Sequence, residues 1–325
     1  MGVVLIATGG TIASTRGADG LTSARLSGDD LLRRVPALAG RTDLHAIDVE
    51  TINSWALSGP QMLGIARTAL ATLARPDVDG VIVTHGTDTL EETAFLTHLL
   101  LGDLTDAGGV VFTGAMRAAD ELGADGDRNL ASSVLAAADP AIRGLGVLVC
   151  LDDLLHSARH VTKAASTGTG AFASTGGPLG RVSGADVVID APRTFRPTPV
   201  GDDIVPEVAL LAAHPWLGRE DVEAVLARGA RGIVVQGTGA GNVPPAVADG
   251  LADALARDVP VVVTRRPPRG HAVTTYGAPG GGGTLSRMGA IVAEDLPAHK
   301  ARVALMVALG VDPNLDAVRR WFDLL

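Results

Sequence analysis

VIVTHGTDTLEETAF, from Val81 to Phe95, is the stretch whose reading decides the fold. Its apolar, β-branched opening, Val81-Ile82-Val83, reads as a buried strand, and Glu91 onward reads as the start of a helix. The turn between them, His85-Gly86-Thr87-Asp88-Thr89, carries hydroxyls and a carboxylate. Open α/β sheets bind ligands in the crevice outside the carboxyl ends of their strands, so the active site is expected here.

The same unit recurs on either side. Val3-Val4-Leu5-Ile6-Ala7 is a second buried-strand run, breaking at Thr8-Gly9-Gly10-Thr11, and Gly109-Val110-Val111-Phe112 is a third, breaking at Thr113-Gly114-Ala115-Met116-Arg117. Leu44–Ile52 alternates enough for a strand, whereas Gly59–Leu73 and Asp127–Ala138 read as helices. The polar stretch Ser14–Ser27 reads as a lid over the site or as a solvated connection, ahead of a helix start at Gly28-Asp29-Asp30. Further on, Gly144–Leu151 is an expected strand, Ser166–Gly177 a small-residue loop and Arg181–Ile189 a hairpin turning at Ser183-Gly184. Leu154–Lys163 mixes apolar and basic residues and fits no single element.

The Pro-rich run APRTFRPTPVGDDIVP, residues 191–206, is the expected inter-domain linker. Beyond it the alternation resumes, with strands at Val208–Leu211, Gly232–Val235, Val259–Thr264 and Ala290–Ala293 and helices at Arg219–Arg228 and Pro245–Arg257. A C-terminal helix runs from about Pro297 to Leu309, with Gly310 as its stop. The expected architecture is α/β: a larger N-terminal parallel-sheet domain, residues 1–190, and a second, smaller α/β domain, residues 207–325.

Composition narrows the function. A chain of 325 residues exceeds one usual core. Mean hydropathy is +0.28, yet no uncharged and predominantly apolar run reaches the roughly 18 residues of a membrane span. Met1-Gly2 leads straight into the first strand without a basic n-region, so a soluble, cytoplasmic protein is expected. The single cysteine, Cys150, excludes an internal disulfide and reads as a core residue. A net charge of −9 argues against a nucleic-acid partner, and the short run Arg265-Arg266-Pro267-Pro268-Arg269 does not overturn that.

Glycine loops after strands invite a nucleotide reading, but Thr8–Ala13 lacks the dinucleotide spacing and Gly237–Asn242 has Asn242 where the fingerprint wants glycine. No metal is implied: of the histidines only His156 and His160 are closely spaced, and they read as a polar face. The sharper pattern is hydroxyl-based. Thr11, Thr87 and Asp88 sit at strand ends that one sheet would bring together, and Lys163 lies in the Gly- and Thr-rich neighbourhood of Val161-Thr162-Lys163. A threonine becomes nucleophilic when a neighbour takes its proton, and a desolvated lysine beside a carboxylate suits that task. Taken singly, each threonine is also an ordinary turn cap.

Together, ATGGTIAS (Ala7–Ser14), VTHGTDTLEETAF (Val83–Phe95), TGAMR (Thr113–Arg117), ADG with NL after it (Ala124–Leu130), VTK (Val161–Lys163) and KARVALMVAL (Lys300–Leu309) resemble the bacterial-type L-asparaginases over nearly the whole chain. The resemblance implies an amidohydrolase that turns L-asparagine and water into L-aspartate and ammonia without a cofactor. It maps the attacking hydroxyl onto Thr11 and a Thr–Asp–Lys group onto Thr87, Asp88 and Lys163. Asp88 would also hold the substrate's α-amino group and Ser54 its α-carboxylate, with Thr11 and Ala115 serving the reacting amide through the backbone and Gly86 among the substrate-binding residues. It further implies homodimers or homotetramers whose sites are shared between subunits.

Three departures from the family pattern stand out. The stretch Ser14–Ser27 has no tyrosine, Leu21 standing at the expected position, and the chain's only tyrosine is Tyr276. Trp55 follows Ser54 where many members have glutamine. Arg265–Arg287 holds no acidic residue, which leaves Asn242 as the contact donated by a neighbouring subunit. Two alternatives therefore stay open: an amidase for another small amide, such as glutamine or a D-isomer, and a non-catalytic amino-acid-binding protein on the same fold. An amidotransferase subunit acting on charged transfer RNA fits less well with so acidic a chain.

Overall fold

A computed structural model describes residues 2–38, 41, 43–190 and 203–325. Of the expected linker, residues 191–202 lie outside the described residues. The chain divides into two compact units, 1–197 and 198–325.

The first unit runs β1 (Gly2–Gly9), β2 (Ser14–Arg16), β3 (Thr22–Ala24), α1 (Gly28–Arg33), β4 (Leu44–Ile52), α2 (Gly59–Leu73), β5 (Val78–Thr84), α3 (Leu90–Leu100), β6 (Gly109–Thr113), α4 (Gly126–Ala138) and β7 (Val147–Leu151). Five short strands follow: β8 (Leu154–Ser157), β9 (Val161–Lys163), β10 (Phe172–Ser174), β11 (Gly180–Ser183) and β12 (Asp186–Ile189). Eight of these strands form one sheet in the order β12-β11-β8-β7-β6-β5-β1-β4. From β4 to β7 neighbouring strands are parallel, and β8, β11 and β12 extend the sheet in antiparallel fashion.

The apolar runs are explained by burial on both faces. Along β1, Val3 and Leu5 face one core with Ile82, Val111, Leu148 and Cys150, while Val4 and Ile6 face the other with Val81, Val83, Phe112 and Val149. Leu130 and Val134 of α4 cover the first face; Ile65 and Ala69 of α2 and Leu90 and Ala94 of α3 cover the second. Cys150 is fully buried, as expected, and burial pushes its thiol up to about 12. Leaving β1, the chain goes to β4 on one side and returns to β5 on the other, so the connections diverge between β1 and β5. That is the switch point at which open α/β sheets bind ligands.

The second unit is smaller: β13 (Val208–Ala212), α5 (Arg219–Ala227), β14 (Gly232–Gly237), α6 (Pro245–Leu255), β15 (Val261–Arg265), α7 (Gly282–Arg287), β16 (Ile291–Val292), α8 (Ala298–Val311) and α9 (Leu315–Leu324). Its four strands form a parallel sheet in sequence order. Arg265, from the basic run, is buried and donates to the carbonyls of Gly270, Pro267 and Asp295, so it braces a loop.

Three expectations need correction, and one helix goes beyond them. Ser166–Gly177 is not loop throughout, because Ala171 and Phe172 are buried and β10 pairs antiparallel with β9. His156 and His160 form no polar face: His156 is buried on β8 with Nδ1 at 2.9 Å from Ser174 Oγ. Gly310 does not stop α8, which continues to Val311; a Cβ there would lie 2.0 Å from the Asp203 carbonyl oxygen, so the glycine serves a close approach. Helix α9 was not anticipated. Asn314 caps it by accepting from Asp316 and Ala317 N–H groups, and Val318 and Trp321 bury one stripe.

Candidate active site

Three loops meet at the switch point. The first follows β1, where Gly9 and Gly10 take positive φ values of 88° and 79° before Thr11 enters a short 3-10 turn. The second follows β5 and holds Gly86, Thr87 and Asp88. The third follows β4 as a 3-10 turn at Ser54–Ala56. Their approach is close enough to exclude side chains. A Cβ on Gly10 would lie 2.5 Å from the Gly86 backbone, and one on Gly86 would lie 2.7 Å from Ser54 Oγ.

The packing creates a pocket of about 170 Å³ lined by residues of all three loops, among them Thr11, Ser54, Thr87 and Asp88, together with Met116, Lys163 and Ser166. Two larger hollows, of about 510 and 480 Å³, lie elsewhere, one at the amino-terminal ends of β1 and β5 and one between α8 and α9. Neither contains an expected site residue.

Within the pocket Lys163 Nζ donates to Thr87 Oγ1 at 2.9 Å and to Asp88 Oδ1 at 2.6 Å. The lysine side chain is only 16% exposed, the Asp88 carboxylate 47%. Lys163 thus offers a mostly desolvated cation, and Asp88 an outward-facing carboxylate with an oxygen to spare. Ser54 is buried; its Oγ accepts the Asp88 N–H at 3.2 Å and its carbonyl accepts the Thr89 hydroxyl at 3.0 Å. The Thr11 hydroxyl makes no hydrogen bond to the described residues.

Buried neighbours hold these loops in place. His85 is fully buried, and desolvation pushes its pKa down to about 4, so it is neutral at neutral pH. Its Nδ1 lies 2.8 Å from the Gly86 carbonyl, which can only accept, so the proton is on Nδ1 and Nε2 faces the Thr93 hydroxyl at 3.0 Å. The Asp125 carboxylate accepts from the Met116 and Arg117 N–H groups and from Asn129 Nδ2, and Asn129 also donates to the Gly114 carbonyl. Asp125 and Asn129 therefore fix the bend after β6.

The structure brings Thr11, Ser54, Trp55, Gly86, Thr87, Asp88 and Lys163 together. Ala115 is fully buried, and the adjacent Met116 forms that part of the wall. Asn242 lies in the second unit, where its Oδ1 accepts the Gly282 N–H at 3.1 Å. Tyr276 also lies there, 55% exposed. Ser14–Ala24 is a two-stranded ribbon of β2 and β3 whose connecting loop exposes Leu21. Asn53 and Ser166 line the pocket without having been singled out, and Asp125 and Asn129 stood unassigned inside the ADG–NL signature. The four-residue spacing of that pair, one at the N-cap of α4 and one in its first turns, was the available signal.

Residues 2–195 match the family model "Asparaginase, N-terminal", and residues 207–322 match "Glutaminase/Asparaginase C-terminal domain". A "Probable L-asparaginase" of Deinococcus radiodurans is 38% identical, over 98% of this chain and 96% of that protein. A "Glutaminase-asparaginase" of Pseudomonas fluorescens is 31% identical, over 98% and 89%. The crystal structure of the "Probable Cytoplasmic L-asparaginase" from Campylobacter jejuni superposes with a TM-score of 0.85 at 30% identity, covering 98% of each chain. With both family models matched in order and full-length relatives at this identity, the chain belongs to the asparaginase family.

Proposed function

We propose that this protein hydrolyses the side-chain amide of L-asparagine to L-aspartate and ammonia, with Thr11 as nucleophile and no cofactor. The observation that carries the reading is the contact of Lys163 with both Thr87 and Asp88, opening on the same pocket as Thr11. Relatives bearing asparaginase names over nearly the whole chain support the substrate.

In this reading Asp88 takes the substrate's α-ammonium group. Ser54 Oγ already accepts the Asp88 N–H, so its own proton is left for the α-carboxylate. Thr11 Oγ forms a bond to the amide carbon as its proton leaves to the pocket's hydroxyl relay and the carbonyl electron pair moves onto oxygen; the relay returns a proton to the amide nitrogen, and collapse breaks the C–N bond and expels ammonia. Water then attacks the resulting ester, releasing aspartate and restoring the Thr11 hydroxyl. Lys163 holds the Thr87 oxygen by donation, which leaves the Thr87 proton to point into the pocket and serve these transfers. Backbone groups at Thr11, Gly86 and Ala115 serve the reacting amide. Residues 1–190 form the catalytic domain and residues 207–325 the smaller domain, whose Asn242 completes the site of a neighbouring subunit in a homodimer or homotetramer. Cytoplasmic residence is inferred from the Campylobacter relative.

Purified protein should release ammonia from asparagine, and Thr11→Ala and Thr87→Val should each nearly abolish the release. Wild-type rates in both variants would reject the mechanism, and aspartate binding by calorimetry without ammonia release would make the chain a binding protein. Trp55, 69% exposed beside Ser54, favours a second reading: an amidase for glutamine or a D-isomer. Specificity constants across asparagine, glutamine and their D-isomers decide between the two.

A further inference from the structure

Glu91 lies in the first turn of α3, three residues beyond Asp88, and is 7% exposed. Its Oε1 accepts the backbone N–H of Lys163 at 3.1 Å and the Thr162 hydroxyl at 3.2 Å. One carboxylate oxygen therefore joins the two arms of the relay. One arm is the Thr87–Asp88 turn, which leads directly into α3; the other is β9, which carries Lys163. The lysine spans the same gap in the opposite direction when Nζ reaches Thr87 and Asp88. Among the described residues strand β9 pairs only with β10, in a two-stranded sheet separate from the main one, so ladder hydrogen bonds do not set its distance from β5.

We propose that Glu91 is a positioning residue that sets the separation of Lys163 from the Thr87–Asp88 pair, an inference resting on the asparaginase reading above. It does not line the pocket and so acts through Lys163. A long, flexible lysine whose backbone has drifted by an ångström keeps its ion pair with exposed Asp88 more readily than its contact with buried Thr87. Loss of Glu91 therefore weakens the proton relay while the Ser54 and Asp88 anchors for substrate remain. The bond that matters is acceptance by Oε1, which a glutamine carbonyl oxygen reproduces.

The test measures ammonia release from asparagine, together with aspartate binding by calorimetry, in the full-length wild type and in Glu91→Ala, Glu91→Met and Glu91→Gln. Glu91→Ala is expected to lower kcat by about 10- to 100-fold, the scale of an ångström misplacement near the reacting groups. KM and the aspartate affinity should stay within about threefold of wild type, on the same reasoning. Glu91→Gln should recover kcat to within about threefold. Should Glu91→Ala fail to fold, Glu91→Met fills the space without offering an acceptor and reads the same loss. A folded acceptor-less variant with wild-type kcat, a loss that glutamine does not restore, or a defect confined to KM and aspartate binding would each overturn the proposal. A wild-type protein that releases no ammonia from asparagine would instead overturn the asparaginase reading itself, and the positioning role with it.

Discussion

Gly86→Ala tests the packing of the three loops most directly. An added Cβ would lie 2.7 Å from Ser54 Oγ, 2.8 Å from Ser54 Cβ and 2.9 Å from the Ser54 backbone nitrogen. Non-bonded carbon atoms rest about 3.5–4.0 Å apart, so the carbon–carbon contact is short by roughly 0.7–1.2 Å. Ser54 is buried and bonded to Asp88 and Thr89, so the strain falls on the separation of the two loops. Overpacking of this kind destabilises by about 1–3 kcal/mol. At roughly 2–4 °C per kcal/mol for a body of this size, Tm should fall by about 2–12 °C. Activity should suffer more, because the same shift moves Ser54 away from Thr87 and Asp88; kcat/KM should drop by about 100-fold. Gly64→Ala is the control. Gly64 is exposed within α2 and an added Cβ meets nothing within 4 Å, so that variant should gain about 0.5–1 kcal/mol and keep full activity. Ammonia release and thermal melts measure both. A Gly86→Ala protein with kcat/KM within a factor of two of wild type would refute the argument.

Other outcomes follow from the same geometry. Lys163→Met should lower kcat by about 10²- to 10⁴-fold, the usual contribution of a positioned proton-transfer group. Its stability should change by less than about 1 kcal/mol, because the Asp88 end of the ion pair is solvent-exposed; retained turnover would remove Lys163 from the mechanism. Burial holds both His85 and His156 at pKa values of about 4, below the roughly 6.5 of an unfolded chain. Between those values the unfolded state binds more protons, so stability is full above pH 6.5 and declines towards pH 4, by up to about 1.4 kcal/mol per pH unit for each histidine. Denaturant midpoints at pH 7, 6 and 5 measure this, and an unchanged midpoint would contradict it. Trp55→Ala should leave Tm within a degree or two, since the indole is largely in solvent, yet change KM for asparagine by about threefold or more. Unaltered KM and an unaltered preference between asparagine and glutamine would exclude Trp55 from the specificity of the pocket.

Much of the first unit was legible because its parallel strands are covered on both faces, which turns each into an uninterrupted apolar run such as Val81–Val83 or Val110–Phe112. Runs of that kind separate cleanly from helices with an apolar stripe. The antiparallel additions were harder to read: β8, β9 and β10 have three or four residues each, too few for alternation to declare itself, and β10 is built from small residues around one phenylalanine. Gly310 misled because glycine next to a helix end commonly terminates it, whereas here the missing Cβ admits the Asp203 carbonyl. In the site, hydroxyls at strand ends singled out Thr11 and Thr87 as candidates, yet each alone read as an ordinary turn cap until the family resemblance was added. The roles of Glu91 and His85 escaped notice because each depends in part on a backbone partner, and no residue type in the sequence marks the carbonyl or amide that a buried side chain will meet.

The position of Lys163 on a ribbon of two three-residue strands has a consequence for heat. Proteins open in parts, with free energies running from near zero to that of global unfolding, and contiguous pieces outside the main sheet open first. The ribbon of β9 and β10 is such a piece, joined by residues 164–171, of which 164–168 are exposed, and held to the core through Val161, Ala171 and Phe172. Warming should therefore release the lysine while the eight-stranded sheet remains intact. Inactivation would set in below the melting transition and reverse on cooling, and the amide of Lys163 would exchange its hydrogen well before those of β1 and β5.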